Sequence, residues 1–296
     1  MITCIKKLIR RPELIFRPVQ LLKRIIWIFC KSSEKKMITL PWGMEMVADP
    51  SDRIGASILK TGTYDTAVLE CLLRLTRSGE TCMDIGANYG LMTSLMAKAS
   101  GPNGRIIAFE AHPEIFLALK KNASKWQDQH MIAKIQSENF GISDKQGEAE
   151  LIITNQFDFN HGSASISNQT DERHIKKRIT VSTTTLNDYF ASSEQSIGVC
   201  KIDIEGHEKY ALIGANELLK KKKVRDIIYE DHNGYPSTVS KLLEDHGYEI
   251  FLIRKGLFRP LLLSPDTTRY ELPNFLATLN PERAIKKLKG FGYKTL

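Results

Sequence analysis

Residues 81–110 constrain this chain most. Thr81-Cys82-Met83-Asp84-Ile85 reads as an apolar strand, and Gly86-Ala87-Asn88-Tyr89-Gly90 as a loop of small residues. A helix is expected from Leu91. Arg105–Phe109 reads as a second apolar strand, and it runs into Glu110, twenty residues after Gly90. Strand, tight loop, helix and strand in that order open an α/β sheet that binds a nucleoside. The loop lets the backbone approach a ligand, and the helix N-terminus offers free N–H groups and partial positive charge. The acid closing the second strand is placed to hold a ribose diol.

The same loop excludes other ligands. A dinucleotide fingerprint, G-x-G-x-x-G/A, needs its second glycine to admit a pyrophosphate. Asn88 stands at that position and Leu91 at the last. No G-x-x-x-x-G-K-[ST] run occurs anywhere. A ligand with a ribose but no phosphate fits better. S-adenosyl-L-methionine is one: its carboxylate can meet the helix N-terminus, and Asp84 its ammonium. The competing reading is a strand-to-helix turn with no ligand, because glycines punctuate turns.

Elsewhere, apolar stretches alternate between strand and helix periods. Strands are expected near 81–85, 105–109, 132–138, 148–154, 179–184, 199–204, 226–230, 248–253 and 274–279. Helices are expected near 66–77, 91–99, 113–126, 207–220 and 237–246. Residues 41–65 are read mainly as turns, and the polar 155–178 as a surface loop or lid. The expected fold class is α/β: a Rossmann-like, mostly parallel seven-stranded sheet with helices on both faces. Four segments are expected: a basic amphipathic arm (1–40), a helical strap (41–80), the cofactor-binding domain (81–280) and a basic tail (281–296).

Charge singles out the arm. The net charge is +8, and residues 1–40 hold ten Lys/Arg and two acids, leaving 32 residues of each sign beyond. Val19–Lys31 reads as a helix, with Gln20, Lys23, Arg24, Trp27 and Lys31 on one narrow side and Leu21, Leu22, Ile25, Ile26, Ile28 and Phe29 on the rest. Such a segment suits an anionic membrane surface. It equally suits packing on the catalytic domain or on a second subunit, which would make an oligomer. Nucleic acid is not expected as a partner. The five scattered cysteines form no C-x-x-C pair and argue for a reducing compartment. No apolar run approaches the roughly 20 residues that span a bilayer. The expected location is cytoplasmic, with peripheral contact at the inner face of the cytoplasmic membrane as the reading for residues 19–31.

A second stretch is unusual. In Val199-Cys200-Lys201-Ile202-Asp203-Ile204-Glu205-Gly206-His207-Glu208, an apolar strand carries Lys201, Asp203 and Glu205 on alternate positions, hence on one side if it stays extended. Ligands bind outside the carboxyl ends of such strands, so Asp203 and Glu205 are expected at the pocket floor. Glu208 equally suits the first turn of the next helix. Asp203, Glu205 and His207 could hold a divalent ion only on an extended strand, and no metal is assigned. Glu230-Asp231-His232 ends the neighbouring strand and adds polar groups to the rim.

Together these pieces resemble the FkbM family of S-adenosylmethionine-dependent methyltransferases. The resemblance rests on Asp84-Ile85-Gly86-Ala87-Asn88-x-Gly90, Phe109-Glu110-x-x-Pro113, Gly141-Ile142-Ser143-Asp144, Thr185-Leu186 and Lys201-Ile202-Asp203-Ile204-Glu205-Gly206-x-Glu208. It departs from the family pattern at Asn187-Asp188 and at Gly141, and it leaves the arm out. It implies a class I methyltransferase fold and O-methylation of a hydroxyl on a glycan, a glycolipid or a natural product. Gly86, Asn88 and Gly90 are expected at the methionine moiety and Glu110 at the ribose. Asn139 and Phe140 should flank the adenine, and Tyr64 should close over the cofactor. Asp203 is the expected base or acceptor-orienting group, with Glu205 and His207 as alternatives. Lys201 is expected to favour the charged form of Asp203. Two rival readings are a nicotinamide-dependent oxidoreductase and a non-catalytic scaffold in glycan assembly.

Overall fold

In a computed structural model, residues 12, 16, 34–129, 131–154, 164–166, 174–267 and 273–296 are described. The arm helix expected over 19–31 and most of the lid at 155–178 lie outside them.

β1 (Lys36–Thr39) and β2 (Glu45–Ala48) form an antiparallel hairpin. α1 (Arg53–Thr61) and α2 (Thr66–Leu75) follow. α1 was hidden among turn residues, although Asp52 is its cap: its carboxylate accepts from Ile54 N and Gly55 N. The chain then enters the main sheet at β3 (Thr81–Ile85), crosses α3 (Leu91–Ser100) to β4 (Arg105–Phe109), and crosses α4 (Pro113–Gln129) to β5 (Lys134–Glu138). β6 (Gly141–Ile142), β7 (Gly147–Thr154) and β8 (Ile175–Thr184) leave it and form a separate three-stranded sheet. After α5 (Leu186–Tyr189) the chain returns through β9 (Ile197–Ile202), α6 (Glu208–Ile213), α7 (Asn216–Lys220), β10 (Val224–Glu230), α8 (Thr238–Asp245) and β11 (Glu249–Lys255). β12 (Pro260–Leu263), β13 (Asn274–Thr278) and α9 (Pro281–Leu288) complete it.

The main sheet therefore has eight strands among the described residues, not seven, in the order β12-β11-β13-β10-β9-β3-β4-β5. β10, β9, β3, β4 and β5 run parallel, and β13 enters antiparallel between β10 and β11. The added edge strand β12 begins with Pro260, a position where a strand tolerates proline. The helix expected over 207–220 is broken in two. A Cβ on Gly214 would lie 2.0 Å from Ser143 O, so close backbone approach marks the break.

Side-chain alternation places the core. Cys82, Ile106, Val199, Ile228, Ile253 and Leu276 face one side, packed with α2, α3 and Trp126 of α4. Their neighbours Met83, Ile107, Cys200, Ile227, Leu252 and Phe275 face the other, packed with α5 to α8. Two buried layers need helices on both faces, and a strand buried on both faces reads as continuously apolar. Cys71, Cys82 and Cys200 are buried free thiols, pushed up in pKa by burial. Beyond residue 280, read as a tail, α9 buries Ala284 and Leu288, and the chain end is tied to α2. Glu70 Oε2 accepts from Lys294 N and Thr295 N, and Arg74 donates to Gly290 O and Gly292 O.

Candidate cofactor and catalytic site

The parallel strands deliver their carboxyl ends to one cleft. Gly86, Asn88, Phe109, Glu110, Phe140, Ile142, Asp203, Glu205 and His207 line a solvent-open space of about 580 Å³, with Leu151 of the small sheet as part of its wall. Ala164 and Ile166 add to that wall, and the Ile152–Ser165 bridge holds them against β7.

The β3–α3 loop takes its shape from three left-handed residues, Gly86 (φ 78°), Asn88 (φ 50°) and Gly90 (φ 92°). Asparagine tolerates this region better than most residues. A Cβ on Gly86 would lie 2.0 Å from the carbonyl oxygen of Asp203, so this glycine lets two adjacent loops meet. Gly90 has a packing reason as well. It does not line the cleft, and its Cβ would strike Leu119 and Trp126 of α4.

Glu110 is 9% exposed and joins the loop to the next strand. Its Oε2 accepts from Asn88 N at 2.9 Å and its Oε1 from His112 N at 2.8 Å. Burial pushes its pKa up to about 7, against the pull of those two N–H groups. Each oxygen keeps a second lone pair for a ribose hydroxyl. Asn139, expected beside the adenine, sits at the turn that follows β5. Its amide braces the turn, donating to Glu110 O and Ala111 O, while Phe140 forms wall. Asp84 is fully buried, with Oδ2 accepting from Thr93 Oγ1 at 2.6 Å and Oδ1 left without a hydrogen bond, 4.0 Å from Lys201 Nζ.

On the other side of the cleft, β9 stops at Ile202. Asp203 N still bonds Ile85 O, and then the chain turns, with Glu205 (φ 52°) and Gly206 (φ 94°) left-handed. The expected row Lys201–Asp203–Glu205 thus survives only for its first pair: Lys201 Nζ lies 3.0 Å from Asp203 Oδ2. Burial opposes the ammonium's charge, but Asp203 and Asp84 outweigh it and push its pKa up. Glu205 rises to about 7 through burial, then Asp203 and Glu208. His207 is committed elsewhere: its Nε2 is 2.9 Å from Ser143 Oγ, its ring bonds the Ile166 backbone and stacks on Tyr210, and burial lowers its pKa. Among the described residues no group of three potential ligands is poised for a metal ion.

Four residues around this turn take places that the sequence left open, and one of them, Asp65, it did not single out. Glu208 reaches back so that its Oε1 accepts from Ile204 N and Gly206 N, pinning the turn that carries Asp203. Glu230 stands beside Asp203 at the next strand end, pushed up to about 8 by burial, Asp203, Glu205 and Asp65. Asp65, left-handed before α2 and bonded by Asn274, rises to about 6 by burial and Asp203. Tyr64 packs partly buried on the core, and burial, with Asp65 and Asp203, raises its hydroxyl pKa. Pairing of β9 with β10 brings Asp203 and Glu230 together, and Asn274, paired with Glu230, ties Asp65 to them by its hydrogen bond.

Comparison with known proteins assigns the family. Residues 84–250, more than half of the chain, match the family model described as the methyltransferase FkbM domain. The chain belongs to the FkbM methyltransferase family. No curated protein matches it. Among solved structures, a methyltransferase FkbM from Methylobacillus flagellatus is 15% identical, with a TM-score of 0.42 over 75% of this chain and 60% of that one. This chain therefore spans less than two thirds of that structure. An S-adenosylmethionine-dependent O-methyltransferase from Thermotoga maritima is 13% identical, with a TM-score of 0.42 over 83% of this chain and 92% of that one. Fibrillarin from Aeropyrum pernix, with S-adenosyl-L-methionine natively bound, is 14% identical, with a TM-score of 0.40 over 82% and 93%. The family assignment rests on the sequence match.

For this FkbM methyltransferase the cofactor is S-adenosyl-L-methionine, and the nicotinamide reading falls away. The residues present fit that group. Gly86 and Asn88 line the cleft, Glu110 offers free lone pairs for a diol, and Asp84 keeps a buried carboxylate oxygen without a donor.

Proposed function

We propose that this methyltransferase acts on a hydroxyl of a sugar in a glycan or glycolipid, or of a natural product, with Asp203 as base or orienting group. One observation carries the reading: Asp203, with its side chain 34% exposed in the cleft, is held by a buried Lys201 that cannot itself reach solvent freely. An alcohol is a weak nucleophile, and a carboxylate beside it accepts its proton as the new bond forms. Glu110, Asn88 and Phe140 would hold the nucleoside end of the cofactor, and Gly86 and Asp84 the methionine end. Bound there, the cofactor supplies an electrophilic methyl group. The chain's own part is alignment: a displacement in line gains most from fixed positions.

Glu205, Glu230, Asp65 and Asn274 continue the shelf from Asp203. Carboxyls that titrate between about 6 and 8 both donate and accept hydrogen bonds near neutral pH. Such a shelf suits an acceptor with several hydroxyls. Asp203→Asn should bind S-adenosylhomocysteine as the wild type does in calorimetry while kcat falls about 10²- to 10⁴-fold. Full turnover in Asp203→Asn removes it as base.

A further inference from the structure

Phe258 and Phe291 are large apolar side chains left in solvent, 45% and 76% exposed. Single exposed apolar residues are ordinary, but these two stack on each other with centroids 5.2 Å apart. Phe16, from the basic arm, meets Phe291 edge-on at 6.2 Å and Tyr293 at 5.9 Å. The rings stand on braced backbone. Gly292 N donates to Phe258 O at 2.8 Å, Tyr293 OH donates to Gly256 O at 2.7 Å, and the Arg259 guanidinium donates to Lys289 O. Two stacked, exposed rings on hydrogen-bonded backbone form a compact apolar patch rather than scattered single residues.

Charge decides its partner. Lys286, Lys287, Lys289 and Lys294 are all exposed around this corner, against the single acid Glu282 in the last sixteen residues. Residues 1–40, to which Phe16 belongs, hold ten Lys/Arg against two acids. Phe16 covers only an edge of the ring pair, which stays exposed with that contact in place, and a shared anionic surface satisfies both basic segments. Rings flanked by lysines match the interface of an anionic bilayer, where aromatic groups enter the headgroup level and cations meet lipid phosphates. We infer that the Phe258–Phe291 pair and its surrounding lysines dock this protein on an anionic lipid bilayer.

The topology gives that contact a use. β11 runs parallel to β10, because β13 is antiparallel to both. Its carboxyl end at Lys255, from which the Phe258 turn departs, lies at the same end of the sheet as Asp203 and Glu230. Docking brings the open end of the cleft towards the bilayer. The docking surface stands whether or not the acceptor is a glycolipid.

Sedimentation of the full chain with vesicles tests it. The wild type should pellet with mixed phosphatidylcholine–phosphatidylglycerol vesicles, lose binding in high salt, and stay in solution with phosphatidylcholine alone. Phe258→Ser with Phe291→Ser, and separately Lys286→Glu with Lys287→Glu and Lys289→Glu, should each lower the bound fraction about tenfold or more. S-adenosylhomocysteine binding and melting temperature should not change, which separates this surface from the cofactor site. Wild-type binding to neutral vesicles alone, no binding at all, or variants that bind as well as wild type would overturn the proposal. So would a dimer, detected by analytical ultracentrifugation, that the phenylalanine changes dissolve.

Discussion

At Glu110 both carboxylate oxygens already accept backbone N–H groups, from Asn88 on one side and His112 on the other. The side chain therefore shapes the cofactor loop as well as facing the cleft. Glu110→Ala takes the acceptor from both backbone N–H groups and removes the acceptor proposed for the ribose diol. Cofactor affinity should fall about tenfold or more, since bonds to a charged group are worth roughly 1.5–3 kcal/mol each. Calorimetry with S-adenosylhomocysteine checks it, and wild-type affinity in the variant would mean the ribose binds elsewhere. The titration adds a sign. Burial lifts Glu110 to about 7, and a diol donates better to the ionised form. Affinity should rise as pH climbs through about 7, and Glu110→Gln should flatten that rise.

The turn between β9 and α6 makes the corresponding point for an element. Its left-handed Glu205 and Gly206 are held by Glu208, whose Oε1 accepts from Ile204 N and Gly206 N. Glu208 is 5% exposed and faces backbone, so its part is to fix where Asp203 points. Glu208→Ala should lower stability by about 1–3 kcal/mol and lower kcat more than it raises KM. Glu208→Gln keeps an acceptor oxygen and should restore most of both. An unchanged kcat in a folded Glu208→Ala would show that the turn holds its shape unaided. This turn also shows how far the sequence was legible. Lys201, Asp203 and Glu205 stood out because charges rarely alternate along an apolar strand. The end of the strand at Ile202 did not, since it depends on a backbone reversal that Glu208 completes from the next helix. Likewise Asp84–Gly90 was readable as a binding loop, whereas Gly90 packs on Trp126, a contact set by how α4 lies on the sheet. Short-range punctuation survives in sequence. The reason for a given glycine often lies in a neighbour far along the chain.

For the whole molecule, the strand ends gather carboxyls faster than cations. Asp65, Glu110, Glu205 and Glu230 are pushed up to about 6, 7, 7 and 8, each by burial first. The ordinary values are 3.8 for Asp65 and 4.5 for the three glutamates. Each group thus binds its proton more tightly in the folded protein than in the unfolded chain. Stability drawn from that preference is complete below the unfolded values and is lost as pH rises through about 6 to 8. His207, lowered by burial from 6.5, has the opposite sign on the acid side, so the clean window lies above pH 6.5. The melting temperature should fall between pH 6.5 and 8.5. Glu230 is the group to change, because its side chain is 16% exposed and it faces Asp203, Glu205 and Asp65 together. Glu230→Gln keeps the shape and removes the charge. It should stabilise the protein at pH 8.5 by on the order of 1–2 kcal/mol, leave stability at pH 5 nearly unchanged, and flatten the slope between. A flat wild-type profile, or a Glu230→Gln slope equal to that of the wild type, would mean these carboxyls do not carry their protons into neutral pH. The shelf beside Asp203 would then meet its acceptor fully ionised.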